Sequence, residues 1–211
     1  MSTALNQRLI ILFAVFLTTG LSISAQSSSL RIADVRFSEE VPQFGGERWL
    51  AMEVLVDVRG NSDRTAPNPE FIDSVKIQVA IAHNLGDQSR PRLEYFWTQV
   101  EAPTLERGAH RFRFYLSPEQ VRRGRMDGGE PYAWFVQADI GNESEQTATP
   151  NQSILAVSRD LREMARLERF KELLEEQKEK RAGILLPQIE TPFRDMYLED
   201  TPFVRGYDRG E

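Results

Sequence analysis

Leu50-Ala51-Met52-Glu53-Val54-Leu55-Val56-Asp57-Val58 is the stretch that decides the fold. Leu50, Met52, Val54, Val56 and Val58 alternate without a break, the period of a strand that buries one face and shows the other to solvent. The same period recurs on both sides of it. Upstream, Leu30-Arg31-Ile32 opens the series; downstream, Val75, Ile77, Val79 and Ile81 alternate with Lys76, Gln78, Ala80 and Ala82. Leu93, Tyr95 and Trp97 follow, then Phe112, Phe114 and Leu116 against Arg111, Arg113 and Tyr115. Tyr132, Trp134, Val136, Ala138 and Ile140 close the run. Breaker-rich segments at 61–69 and 84–91 separate the strands. Six or seven short strands joined by turn chemistry predict an antiparallel β-sandwich.

One short helix is expected inside this pattern. Ser117 stands at an N-cap, Pro118 at the first helical position, Gln120 two residues further on, and Gly124 at the stop. In a sandwich such a turn lies where the chain crosses from one sheet to the other.

At Tyr132-Ala133-Trp134 the sequence resembles the immunoglobulin-like family. There a Tyr at the start of a strand precedes an inward-pointing core residue by two positions. Trp134 stands where antibody domains have Cys, so the resemblance implies the packing without the inter-sheet disulfide. It covers roughly residues 30–153 and implies an architecture, not an activity. The wider layout is similar to envelope and pilus-associated immunoglobulin-like proteins of Verrucomicrobia. That resemblance implies a role in the cell envelope.

After Ser153 the period changes. Val157, Leu161, Met164, Leu167, Phe170 and Leu174 recur at intervals of 4, 3, 3, 3 and 4 residues, with Arg, Lys and Glu between them. This predicts a long amphipathic helix over 154–183, with Gly183 past its end. The stripe suits packing back on the sandwich, or pairing with a second helix, since its repeat is close to the value of about 3.5 for a coiled coil. Residues 184–211 show no period and are expected as an irregular, extended tail. Glu190-Thr191-Pro192-Phe193-Arg194 recurs as Asp200-Thr201-Pro202-Phe203-Val204-Arg205, each followed shortly by a Tyr, Tyr197 and Tyr207. Aromatic anchors in a charged extended segment suit strand addition or insertion into pockets.

Residues 1–25 read as a secretory signal peptide: Arg8, nine apolar residues from Leu9 to Leu17, then small residues to Ala25. Thr18, Thr19 and Gly20 end the apolar run well short of the roughly 20 residues a spanning helix needs, so no stable span is expected after cleavage. The expected mature segment, residues 26–211, has a sandwich over 26–153, the helix and the tail. It would be exported to the periplasm or outer envelope of a bacterium. The formal charge of −6 makes the chain a poor general binder of nucleic acid. The absence of Cys rules out thiolate chemistry and disulfides, leaving stability to packing.

Site chemistry is sparse. His83 and His110 belong to no spaced ligand cluster, and no GxSxG elbow occurs. No enzyme, cofactor or metal is expected. Of the three Trp, Trp97 and Trp134 share phases with core residues, whereas Trp49 is out of phase with Leu50 and is the candidate for an exposed aromatic. The partner-binding candidates are Phe193, Tyr197, Phe203 and Tyr207 in the tail, and Arg111 and Arg113 on an outward strand face, which could dock an acidic partner. The expected function is a non-catalytic exported interaction or assembly module of the envelope, serving a pilus or secretion machine. It would bind an envelope protein, or itself through the helix and tail. The alternative is a carbohydrate- or small-ligand-binding module with Trp49 in its groove.

Overall fold

The computed structural model describes residues 29–61, 67–86, 92–124, 130–141, 152–181 and 183–206. The expected signal peptide and Tyr207 lie outside them. Among the described residues, nine strands form two antiparallel sheets. They are β1 (Leu30–Glu40), β2 (Trp49–Val58), β3 (Phe71–Asn84), β4 (Leu93–Glu106), β5 (Gly108–Leu116), β6 (Ala133–Ile140), β7 (Gln152–Val157), β8 (Leu185–Pro187) and β9 (Arg205–Gly206). One sheet has the order β1-β2-β5-β8 and the other β7-β6-β3-β4-β9. We call them the first and second sheets.

The alternation reads out as expected. Leu50, Met52, Val54, Val56, Phe112 and Phe114 of the first sheet meet Val75, Ile77, Val79, Ile81, Val100 and Val136 of the second in one core. Each such side chain, fully buried, contributes roughly 1.5–3 kcal/mol. Helix α1 (Pro118–Gly124) carries the chain from β5 to β6, and its first turn closes with the Val121 N–H donating to the Ser117 carbonyl at 3.0 Å.

Sheet two is covered on its outer face as well. Helix α2 (Met164–Arg181) lies across it. Ala80, Ala82 and Ala133 on the central strands leave room for Phe170, whose ring meets Tyr95 edge-on at 5.2 Å. Leu161, Leu167, Phe170 and Leu174 are all buried, so the stripe packs back on its own sandwich. Leu93, Tyr95 and Trp97 belong to this second cluster rather than to the central core.

The long helix expected over 154–183 does not form at that length. Residues 152–157 are β7, paired to β6 through Ile154↔Ala138 and Val157↔Phe135. The sandwich therefore extends past the expected boundary at 153. Ser158 ends the strand, its N–H donating to the Trp134 carbonyl at 2.9 Å and its hydroxyl accepting the Trp134 N–H at 3.3 Å. A single 3-10 turn over Arg159–Leu161 follows before α2 starts. Val157 fits a helical stripe and a strand equally well, and the free edge of β6 decides between them. Met164, placed in the stripe by its spacing, is 69% exposed. Among the described residues, no helix is long and apolar enough to cross a membrane.

Candidate functional site

The tail is the most distinctive structure in the chain, and it is built into the fold. β8 adds to β5 through Leu185↔Leu116 and Pro187↔Phe114. A 3-10 turn (Gln188–Glu190) then directs the chain over the outer face of the first sheet. Further on, the Asp200 carbonyl accepts the Arg111 N–H at 2.9 Å. Val204 enters the central core, and β9 pairs with β4 at Val100 and Glu101. One segment thus covers the exposed edge of each sheet on the same side of the sandwich.

The two Thr-Pro-Phe copies play different parts. In the first, the Thr191 hydroxyl donates to the Gln188 carbonyl at 2.8 Å and accepts the Phe193 N–H at 3.2 Å. This fixes a turn that drives Phe193 inward. Its ring stacks on Tyr115 at 4.3 Å, with planes 4° apart, and meets Trp49 edge-on at 5.9 Å. Trp49 is therefore capped by the tail and does not stand free as an exposed aromatic. Gln188, buried, donates its amide to the Phe193 carbonyl at 3.1 Å and also to the Met196 carbonyl.

In the second copy the Asp and Thr are the anchors. Arg113 reaches Asp200 at 3.0 Å, the Thr201 hydroxyl at 2.7 Å and Glu53 at 3.2 Å. Tyr197 lies over its guanidinium, 4.4 Å from ring centroid to carbon. The Arg113 side chain is only 5% exposed. Arg111 joins the same two carboxylates, at 3.2 Å from Glu53 and beside Asp200. Two guanidinium groups and two carboxylates balance one another, which is what a partly desolvated cluster requires. Burial pushes the Asp200 carboxyl up, but hydrogen bonds from Arg113 and Arg111 outweigh this and hold it below the usual carboxylate range. Burial, reinforced by Glu40, pushes the Tyr115 hydroxyl far up, and it donates to Glu40 at 3.1 Å.

Of the sequence-predicted residues, Arg111, Arg113, Phe193 and Tyr197 come together in this dock, and their contacts are with the chain itself. An outside acidic partner would meet Arg111 only in competition with Asp200. Phe203 points away, 74% exposed, with Leu198 66% exposed in the same tail. Glu53 and Gln188 were missed; an acid between core residues on a strand and a Gln after Pro carry no local mark of such a role.

A second concave feature lies between α2 and the second sheet, with a volume of about 500 Å³. Leu93, Leu161 and Phe170 line it, and Tyr95, Tyr132, Arg166 and Arg169 bring polar ends to it. Tyr132 is 49% exposed at this rim, while Trp134, the inward residue that the immunoglobulin resemblance implies, packs against the central core.

The two imidazoles do not converge: His83 is on β3 and His110 on β5, in different sheets. His83 is buried, with its Nε2 unbonded, and desolvation lowers its pKa despite a hydrogen bond with the Gly124 backbone and the nearby Glu94. Among the described residues, no three His, Asp or Glu side chains are grouped to hold a metal.

No protein-family model matches this chain. No curated protein matches it in sequence. Solved structures do match in shape. One is a crystal structure from Akkermansia muciniphila, with 17% identity and a TM-score of 0.50 over 83% of this chain and 93% of that one. At that identity the likeness concerns the fold alone.

Proposed function

We propose that this chain is a non-catalytic, exported interaction or assembly module of the bacterial envelope, built on an immunoglobulin-like sandwich and serving a pilus or secretion machine. Lettered in chain order, β1, β2 and β5 correspond to strands A, B and E. β7, β6, β3 and β4 correspond to G, F, C and C′. Sheets of A-B-E and G-F-C-C′ fit the Greek-key sandwiches of that class. The observation that carries the functional reading is the tail. Its inner side chains, Phe193, Asp200 and Thr201, anchor it on the first sheet, while Leu198 and Phe203 are exposed on the same segment. Apolar groups presented on a fixed backbone suit recognition, because little ordering entropy remains to be lost on binding.

The test uses Leu198→Ser/Phe203→Ser in the full chain, expressed in its native envelope. Chemical crosslinking should capture a defined envelope partner with the wild type and lose it with the variant, at unchanged melting temperature. Equal crosslinking of the two proteins would sink the reading.

A ligand-binding module is the second reading, and the cleft beneath α2 favours it. With Trp49 capped, its aromatic platform moves to Tyr132, flanked by Arg166 and Arg169. Binding on a glycan array that Tyr132→Ala abolishes would support it; a blank array would dismiss it.

A further inference from the structure

A two-sheet sandwich has four edge strands, and each offers unpaired backbone groups to other chains. Here three are guarded. β8 pairs with β5 at Phe114, Tyr115 and Leu116, and β9 with β4 at Val100 and Glu101, each a very short edge strand that offers little to a further chain. β1 carries Arg31, Asp34, Arg36, Glu39 and Glu40 along its length, and its register breaks between Ile32 and Asp34. Charges and irregularities of this kind are what keep edges single. The fourth edge, β7, has the sequence Gln152-Ser153-Ile154-Leu155-Ala156-Val157. It has no charge, proline or bulge, its six residues pair regularly with β6, and no described residue pairs with its outer side.

We propose that β7 is a self-association edge: two copies of this chain join β7 to β7 antiparallel about a twofold axis, making one continuous ten-stranded sheet from two of the five-stranded sheets. The occupant follows from the sequence of the strand. Pairing a strand with itself brings each charge near its own copy, so a strand without charges avoids the repulsion that β1 would meet. Side chains directly opposite must share a face, which admits only registers that pair residues an even number apart. The register centred on Leu155 sets Leu155 against Leu155 and Ile154 against Ala156, a large residue facing a small one. Leu155, 43% exposed on the outer face, would gain cover. Ile154 and Ala156 already pack against the core and would extend it across the axis. This inference goes beyond the tail-based function and does not depend on it.

The absence of cysteine makes the test direct, because a thiol placed on an edge has only its own copy to meet. Opposed residues of an antiparallel pair lie about 4.5–5.5 Å apart at Cα, within disulfide range. Under mild oxidation at micromolar concentration, Leu155→Cys should convert largely to a covalent dimer, and Ser38→Cys on β1 should form no interchain disulfide. Light scattering of the cysteine-free wild type should report a dimer, and Leu155→Lys a folded monomer with unchanged circular dichroism. A wild type that remains monomeric at 100-fold higher concentration would overturn the proposal. So would equal crosslinking of the two thiol variants, or a Leu155→Lys dimer.

Discussion

Arg113 concentrates the chemistry that holds the tail. Its guanidinium connects Glu53 on β2 with Asp200 and Thr201 of the tail beneath the Tyr197 ring. Arg113→Ala would leave two carboxylates facing each other with only Arg111 between them. Removing one member of a buried ionic cluster costs about 3–5 kcal/mol. Because Glu53 and Asp200 keep some contact with water, a loss of about 3 kcal/mol is expected in urea denaturation. Arg31→Ala, which breaks only an exposed pair with Asp57, should change stability by less than about 0.5 kcal/mol. His83 acts in a different pH range. Burial lowers its folded pKa. On acidification the unfolded chain takes a proton first, near its ordinary value of about 6.5, and the folded chain only lower. Its contribution to stability is therefore complete above that value and is lost as the pH falls toward the lowered one. Denaturation midpoints should drop between pH 7.5 and 5.5 in the wild type, and His83→Gln should flatten that slope. Asp200 titrates separately. Its lowered pKa makes its pairing with Arg111 and Arg113 stabilising above the ordinary carboxylate value of about 3.9, and that contribution disappears in stronger acid.

Among the elements, the two Thr-Pro-Phe copies give the sharpest contrast. Phe193→Ala removes a fully buried ring from between Tyr115, Trp49 and Ala51, and a loss of about 3–5 kcal/mol is expected. Phe203→Ala, at a solvent-facing position, should lie within about 0.5 kcal/mol of wild type by the same denaturation measurement. The motif is legible in the sequence, but its asymmetry is not. Both copies have the same local composition, and burial is decided by Tyr115, a residue some eighty positions upstream whose outward phase looks like that of Arg111 and Arg113. The strands were far more legible. From Leu50 to Val58 one face meets a core all along the strand, so the alternation is complete. The helix boundary was not, because Ile154, Ala156 and Val157 satisfy both periods locally and only pairing with β6 selects the strand. Ala80 and Ala82 read as the weaker face of β3; their real role, making space for Phe170, appears only once α2 is placed.

At the scale of the whole molecule, chain order makes the tail a late closing element. β1 to β7 and α2 precede it, yet β4 and β5 remain open on one side until residues 185–206 arrive. The tail adds Leu185 and Val204 to the core and Phe193 to the outer face, and it pairs with both open edges. A chain ending at Gly183 would therefore expose two edge strands on the same side, together with the apolar surface around Ala51 and Tyr115. Unpaired long edges beside apolar surface lead to association rather than to a smaller stable domain. Truncation after Gly183 should give a protein that sediments as aggregate and loses the near-ultraviolet dichroism of its packed aromatics. The defect belongs to missing contacts and not to a misfolded remainder, so a synthetic peptide of residues 184–206, added in trans during refolding, should restore a soluble species with the native signal. The same peptide carrying Phe193→Ala should restore much less, because the stacked ring is its main apolar anchor. A truncated chain that kept the wild-type oligomeric state and melting temperature would show that the tail rests on a finished sandwich instead of completing it.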